Sequence, residues 1–231
     1  MPEITLIVDD VRGAILVEET KDLKQNAIEH LKAYLGETQE IGCARPLEII
    51  KPIFNSSETT PNDQSVRIAG YYHNSLTEGP GRRSSVLFQY CPLKCKGCYV
   101  PQLHSKNAGA LISVEKLTEL LLDPQFERDG VTILGGEPFA QAPGLNALVK
   151  ALRSRGCPHI TCYSGYTLEH LREKSVRQPS IGEVLNKIDI LIDGAYIESL
   201  SQSAGLWTGS GNQRVIDMRR TRAENRVVLY S

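Results

Sequence analysis

Two apolar, β-branched runs open the chain, residues 4–9 (ITLIVD) and 14–18 (AILVE); DVRG separates them, and the pattern predicts a hairpin. From Lys21 to Leu35 the apolar residues Leu23, Ala27, Ile28, Leu31 and Leu35 recur at helical spacing, with Gly36 where a C-terminal cap is expected. The first ~40 residues therefore predict a ββα unit. Residues 53–65, FNSSETTPNDQSV, are dense in Ser, Thr, Asn, Asp and Pro, the turn formers that mark a connector. The expected division is a small N-terminal ββα extension with its linker, 1–65, and a main domain, 66–231.

Beyond the connector the pattern alternates. Strands are predicted near 66–71 and at 85–90 (SVLFQY), 131–134 (VTIL), 159–163 (HITCY), 188–192 (IDILI) and 226–230 (RVVLY). Helices are predicted at 113–122, 143–154, 167–174 and 181–187. Strand-helix alternation implies an α/β fold with a mostly parallel sheet and right-handed crossovers. No internal repeat or low-complexity tract interrupts it.

Composition narrows the class without changing the fold. The chain has 231 residues, enough for one full domain and a small appendage. A hydrophobic content of 41%, a charged content of 23% and a net charge of -1 describe an ordinary globular protein. That balance argues against a large nucleic-acid surface. No stretch approaches the roughly 20 apolar residues of a membrane helix. The N-terminal MPEITLIVDDVRG carries acids where a secretory signal begins basic. A cytoplasmic protein with no membrane or nucleic-acid partner is expected.

The six cysteines change the picture more. Cys91, Cys95 and Cys98 fall within CPLKCKGC, as C-x3-C-x2-C, directly after the apolar run 85–90. Neighbouring cysteines so close would strain bridges among themselves, and in a cytosolic chain such spacing points to metal or redox chemistry. Three thiolates can hold three irons of a [4Fe-4S] cluster and leave the fourth without a protein ligand. An amino-carboxylate such as the methionyl end of S-adenosylmethionine (SAM) can chelate that open iron. Lys94 and Lys96, alternating with the cysteines, favour the thiolate form. Structural zinc is the competing reading, with His104 completing a Cys3His set. Cys157 and Cys162 bracket a predicted buried strand and read as small core residues; Cys43 lies in the N-terminal region.

The run EGPGRRSSVLFQYCPLKCKGCYVP (78–101) resembles the entry to radical SAM activating enzymes, particularly the small activators of anaerobic ribonucleotide reductase. LGGEPFAQ (134–141), CYSGYTLEHL (162–171), IDILIDGAYIESL (188–200) and GSGNQRVIDM (209–218) look like that family's successive motifs, in order. The resemblance covers roughly residues 66–231 and implies an incomplete, open radical SAM β/α barrel. Many radical SAM proteins carry an aromatic residue before the third cysteine. Here Gly97 precedes Cys98 and Tyr99 follows it, a form similar to that of the reductase activators.

What the resemblance implies is a set of cofactor-facing residues. The Gly135, Gly136, Glu137, Pro138 segment would receive the SAM amino group through its backbone, at the carboxyl end of a strand where ligands of α/β sheets gather. Ser164 and Asp193, ending the next two strands, would contact the methionyl carboxylate, ribose or adenine, and Tyr99 joins this set. Each has a plainer explanation as a turn or cap residue. Asn212, Gln213 and Arg214 match a motif whose role the sequence does not define. Arg219, Arg220, Arg222 and Arg226 form a basic run that reads as a solvated face or a docking surface for an acidic partner.

The activity implied is reductive cleavage of SAM to a 5'-deoxyadenosyl radical that abstracts a glycyl hydrogen from a protein partner. An electron donor such as flavodoxin or ferredoxin would supply the reductant. Two alternatives stand beside it. One is a radical SAM enzyme acting on another peptide, protein or nucleotide-type substrate selected by the N-terminal extension. The other is a non-catalytic zinc-binding module.

Overall fold

Alternating β-branched and helix-forming runs resolve, in a computed structural model, into two compact units, Met1–Glu48 and Ile49–Ser231. The structure describes residues 4–9, 13–18 and 63–230. In the first unit β1 (Ile4–Asp9) and β2 (Gly13–Glu18) pair antiparallel, Ile4 opposite Glu18 and Asp9 opposite Gly13, as the expected hairpin requires. The helix expected over 21–35, Cys43 and most of the connector 53–65 lie outside the described residues.

The second unit is built on a seven-stranded sheet. Its strands are β3 (Ser65–Ser75), β4 (Arg83–Phe88), β5 (Ala110–Ser113), β6 (Gly130–Gly135), β7 (Ile160–Ser164), β8 (Ile190–Asp193) and β9 (Arg214–Asp217), in the order β5-β3-β4-β6-β7-β8-β9. The four central strands β4, β6, β7 and β8 pair parallel. On either side the pairing reverses: β3 is antiparallel to both β4 and β5, and β9 to β8. The sheet is therefore mixed, where the sequence pattern predicts one mostly parallel. The short β3–β4 connection forces the first reversal, since a parallel neighbour needs a crossover of a dozen or more residues.

Helices α1 (Val114–Leu121), α2 (Ala142–Ser154), α3 (Leu168–Arg177) and α4 (Pro179–Leu185) lie where the pattern predicts helices, α4 following α3 with no strand between them. Capping fixes two of their starts: Ser113 Oγ accepts from Lys116 N and Thr167 Oγ1 from His170 N. Their apolar faces, with Leu117, Leu121, Leu145, Leu148, Leu152 and Leu171, close over Val86, Phe88, Val131, Ile133, Ile160, Cys162 and Leu191 of the sheet in one buried core. Each such side chain contributes roughly 1.5–3 kcal/mol through burial. Cys157 and Cys162 are core residues, as expected.

The last segment departs from expectation. RVVLY (226–230) makes only a single bridge, Leu229 to Ile216, and the seventh strand is β9 instead. Between them the basic run forms α5 (Met218–Glu224), capped by Asp217, whose carboxylate accepts from Arg220 N, and ended by Asn225 in the left-handed region. A helix of seven residues with only Met218 and Thr221 buried carries too little periodicity to be read from sequence. Among the described residues no helix is long and apolar enough to cross a membrane.

Candidate functional site

At the carboxyl ends of the parallel strands the chain turns into loops, and the predicted site residues collect there. β4 runs into the cysteine loop. Tyr90 and Lys94 both take positive φ, and Cys98 N donates to the Cys95 carbonyl at 3.3 Å, so the loop doubles back tightly. All three thiols are free and partly exposed. Partial burial pushes the Cys91 thiol up from its ordinary value, while the amides of Leu93 and Lys94 pull the other way.

The Gly-Gly-Glu-Pro segment follows β6 and is bonded directly to the start of that loop. Gly136 N donates to the Phe88 carbonyl (2.8 Å) and Glu137 N to the Tyr90 carbonyl (2.9 Å). Gly136 must be glycine, because a Cβ there would stand 2.4 Å from the Tyr90 carbonyl oxygen. Pro138 then starts a buried 3-10 turn, Pro138–Gln141.

Glu137 is fully buried, and its side chain ties β6 to β7. It accepts from Phe139 N (3.0 Å), Gly165 N (2.8 Å) and Ser164 Oγ (3.1 Å). Burial pushes its carboxyl up to about 7 against the pull of those donors. Thus two predicted residues, Glu137 and Ser164, meet each other.

Asp193 ends β8, also fully buried, and both of its oxygens are engaged. Oδ1 accepts from Arg214 Nε (2.9 Å), and Oδ2 from Arg214 Nη2 (2.5 Å) and Leu168 N (2.7 Å). Arg214 reaches on to Glu169 through Nη1 (3.1 Å) and Nη2 (2.7 Å). That pairing holds the Glu169 carboxyl down at about 2. The rest of the Asn-Gln-Arg motif staples loops: Gln213 Oε1 accepts from Gly209 N and Ser210 N, and Gln213 Nε2 donates to the Gly194 carbonyl.

Tyr99 is exposed, its ring 4.9 Å from that of Tyr196. The segment after β8 thus flanks the cysteine loop, and Glu198 packs against Gly97 so closely that a Cβ there would lie 2.5 Å from its carboxylate. Glu198 lies inside the IDILIDGAYIESL motif, but only the fold reveals this contact. His104 Nε2 is buried without a hydrogen-bond partner. Among the described residues no three His, Cys, Asp or Glu side chains converge as closely as a single metal ion needs. A cluster makes a different demand, one thiolate on each of three irons, and three free thiols on one short loop supply that donor set.

The family model described as a 4Fe-4S single cluster domain matches residues 77–216. Over 161 residues the chain is 30% identical to the anaerobic ribonucleoside-triphosphate reductase-activating protein of Salmonella typhi, covering 67% of this chain and 100% of that one. The protein of the same description from Escherichia coli strain K12 is 28% identical over 156 residues, 64% of this chain and 97% of that one. The crystal structure of QueE from Escherichia coli overlaps 45% of this chain and 53% of that chain, with 16% identity and a TM-score of 0.35.

Proposed function

Because the chain belongs to the 4Fe-4S single cluster domain family and to the radical SAM activating enzymes, we propose that it generates a glycyl radical on a protein partner. It is a radical SAM oxidoreductase whose cofactors are a [4Fe-4S] cluster and SAM. Bound there, the pair supplies one-electron cleavage of a carbon-sulfur bond, giving a 5'-deoxyadenosyl radical; the protein's part is placement and shielding.

Cys91, Cys95 and Cys98 hold the cluster. The observation that carries the reading is the bonding of the Gly-Gly-Glu-Pro turn to that loop through Gly136 N and Glu137 N. With those amides committed, an ammonium group placed here meets the segment's carbonyl oxygens, the acceptors it needs. Glu137, by holding Ser164 and Gly165, sets the opposite wall, and Tyr99 borders the loop beyond Cys98. Asp193 serves through Arg214 as a positioning residue for the rim. The open edges of the sheet at β5 and β9 suit an incomplete barrel, whose side a partner's loop can enter.

The test is anaerobic incubation of reduced enzyme, SAM and a candidate glycyl-radical partner, read by EPR. A partner-derived radical is expected, and its absence with every plausible partner refutes the proposal. A second reading rests on the N-terminal unit: the Salmonella relative is matched along its whole length, yet about a third of this chain has no counterpart in it. In that reading the extension selects a different substrate. Removal of residues 1–60 then abolishes partner binding while SAM cleavage persists.

A further inference from the structure

Phe88, Gln89 and Tyr90 lead from β4 into the cysteine loop, and the GGEPFAQ run after β6 engages the carbonyls of all three. Gly136 N takes that of Phe88 and Glu137 N that of Tyr90; the carbonyl between them, Gln89's, accepts from Gln141 Nε2 at 2.9 Å. Gln141 is buried, and it is fixed in turn by β3: its Oε1 accepts from Arg67 N (2.7 Å) and its Nε2 donates to the Arg67 carbonyl (2.9 Å). The side-chain amide therefore bonds to the backbone of β3 and of the loop entry as a peptide unit would.

The exit of the loop is held by Gln89 itself. Its Nε2 donates to the carbonyls of Gln102 (3.2 Å) and Ser105 (2.9 Å), across 13 and 16 residues of chain. Cys91, Cys95 and Cys98 all lie between the positions that this one amide joins. The Gln89 side chain is buried and packs against Gly109, where an added Cβ would stand 3.0 Å from both its Cβ and its Cγ.

Hydrogen-bond chemistry selects glutamine at both places. Gln89 faces two acceptors and must present N–H, whereas a carboxylate of the same shape would set oxygen against oxygen. Gln141 faces one N–H and two carbonyls, a set that an amide of that reach satisfies from its two ends. Both side chains act on the thiols only through the backbone of the loop.

We infer that Gln89 and Gln141 are positioning residues that close the cysteine loop before any metal arrives and lock it to the Gly-Gly-Glu-Pro turn, presenting the open iron and that turn to SAM in one register. The inference rests on the cluster reading given above. Replacing the outer partners that orient metal ligands typically costs about 10–100-fold in metal affinity or activity.

The test compares wild type with Gln89→Leu, Gln141→Leu and Val149→Ala, the last a buried position of α2 that controls for lost stability alone. Limited trypsin digestion of the full chain before reconstitution reads the opening of the loop at its exposed Lys94 and Lys96. Cleavage there should be about tenfold faster or more in both glutamine variants and unchanged in the control. After anaerobic reconstitution, the SAM concentration that produces half of the change in the reduced-cluster EPR signal should rise about tenfold or more in the same two variants. Faster cleavage with an unchanged SAM response would make the two amides merely structural and overturns the inference. So does wild-type behaviour of both glutamine variants, or an equal shift in Val149→Ala. A wild type that takes up no iron refutes the cluster reading itself, and the inference falls with it.

Discussion

Replacing Arg214 by methionine removes the only side-chain cation, among the described residues, on a carboxylate that is fully buried, that of Asp193. Stripping one partner from a buried ion pair typically costs about 3–5 kcal/mol, because the other charge is left uncompensated. Leu168 N still donates to Oδ2, which favours the lower end, about 3 kcal/mol. For a domain of this size that corresponds to a fall in melting temperature of roughly 6–12 °C. Glu169→Gln is the control. It breaks the exposed arm of the same cluster, worth about 0–1 kcal/mol and a shift of only a few degrees. Thermal unfolding followed by circular dichroism separates the two. Arg214 holds the Glu169 carboxyl at about 2, so this pair's contribution is present above the ordinary carboxylate range and is lost as pH falls through about 2. In Arg214→Met the Glu169 titration returns to its ordinary range. If Arg214→Met melts within a degree or two of Glu169→Gln, Asp193 is not anchored as described, and the positioning role assigned to it fails.

Gly136→Ala places a methyl against the Tyr90 carbonyl and displaces the cysteine loop, so iron per chain should fall below half of wild type while far-UV circular dichroism is retained. Glu137→Gln turns an amide toward three donors and should destabilise by about 1–3 kcal/mol in chemical unfolding. The Glu137 carboxyl is held up at about 7, so its favourable contribution is present below the ordinary carboxylate range and fades as pH rises through about 7. The gap between wild type and Glu137→Gln should accordingly be wider at pH 5 than at pH 8. Tyr163→Phe releases the Trp207 carbonyl, to which the phenol donates at 2.9 Å, and should alter the fluorescence of this chain's one tryptophan.

The parallel centre of the sheet was legible because SVLFQY, VTIL, HITCY and IDILI are apolar runs between turn formers, and both faces of such strands are covered. β5 and β9 were not, being four-residue strands whose pairing is decided by distant neighbours, β3 and β8. RVVLY has the composition of a strand yet makes one bridge, because the place beside β8 is already taken by β9. At the site, the C-x3-C-x2-C spacing of Cys91, Cys95 and Cys98 is what carries the cluster proposal, three thiols on one short loop being the donor set of a cluster with one open iron. The Glu137–Ser164 contact and the Arg214 clamp could not be read. Each joins ends of different strands, and only the register of the sheet brings those side chains together.

The central claim is an open-site cluster on Cys91, Cys95 and Cys98, and its most direct test is the iron and acid-labile sulfide content of anaerobically reconstituted protein with EPR spectra with and without SAM. The comparison is a Cys91→Ala, Cys95→Ala, Cys98→Ala triple variant. The account predicts about four irons per chain, a reduced-cluster signal that changes when SAM is added, and loss of both in the variant. Zinc in place of iron, or a cluster whose signal ignores SAM, would contradict it.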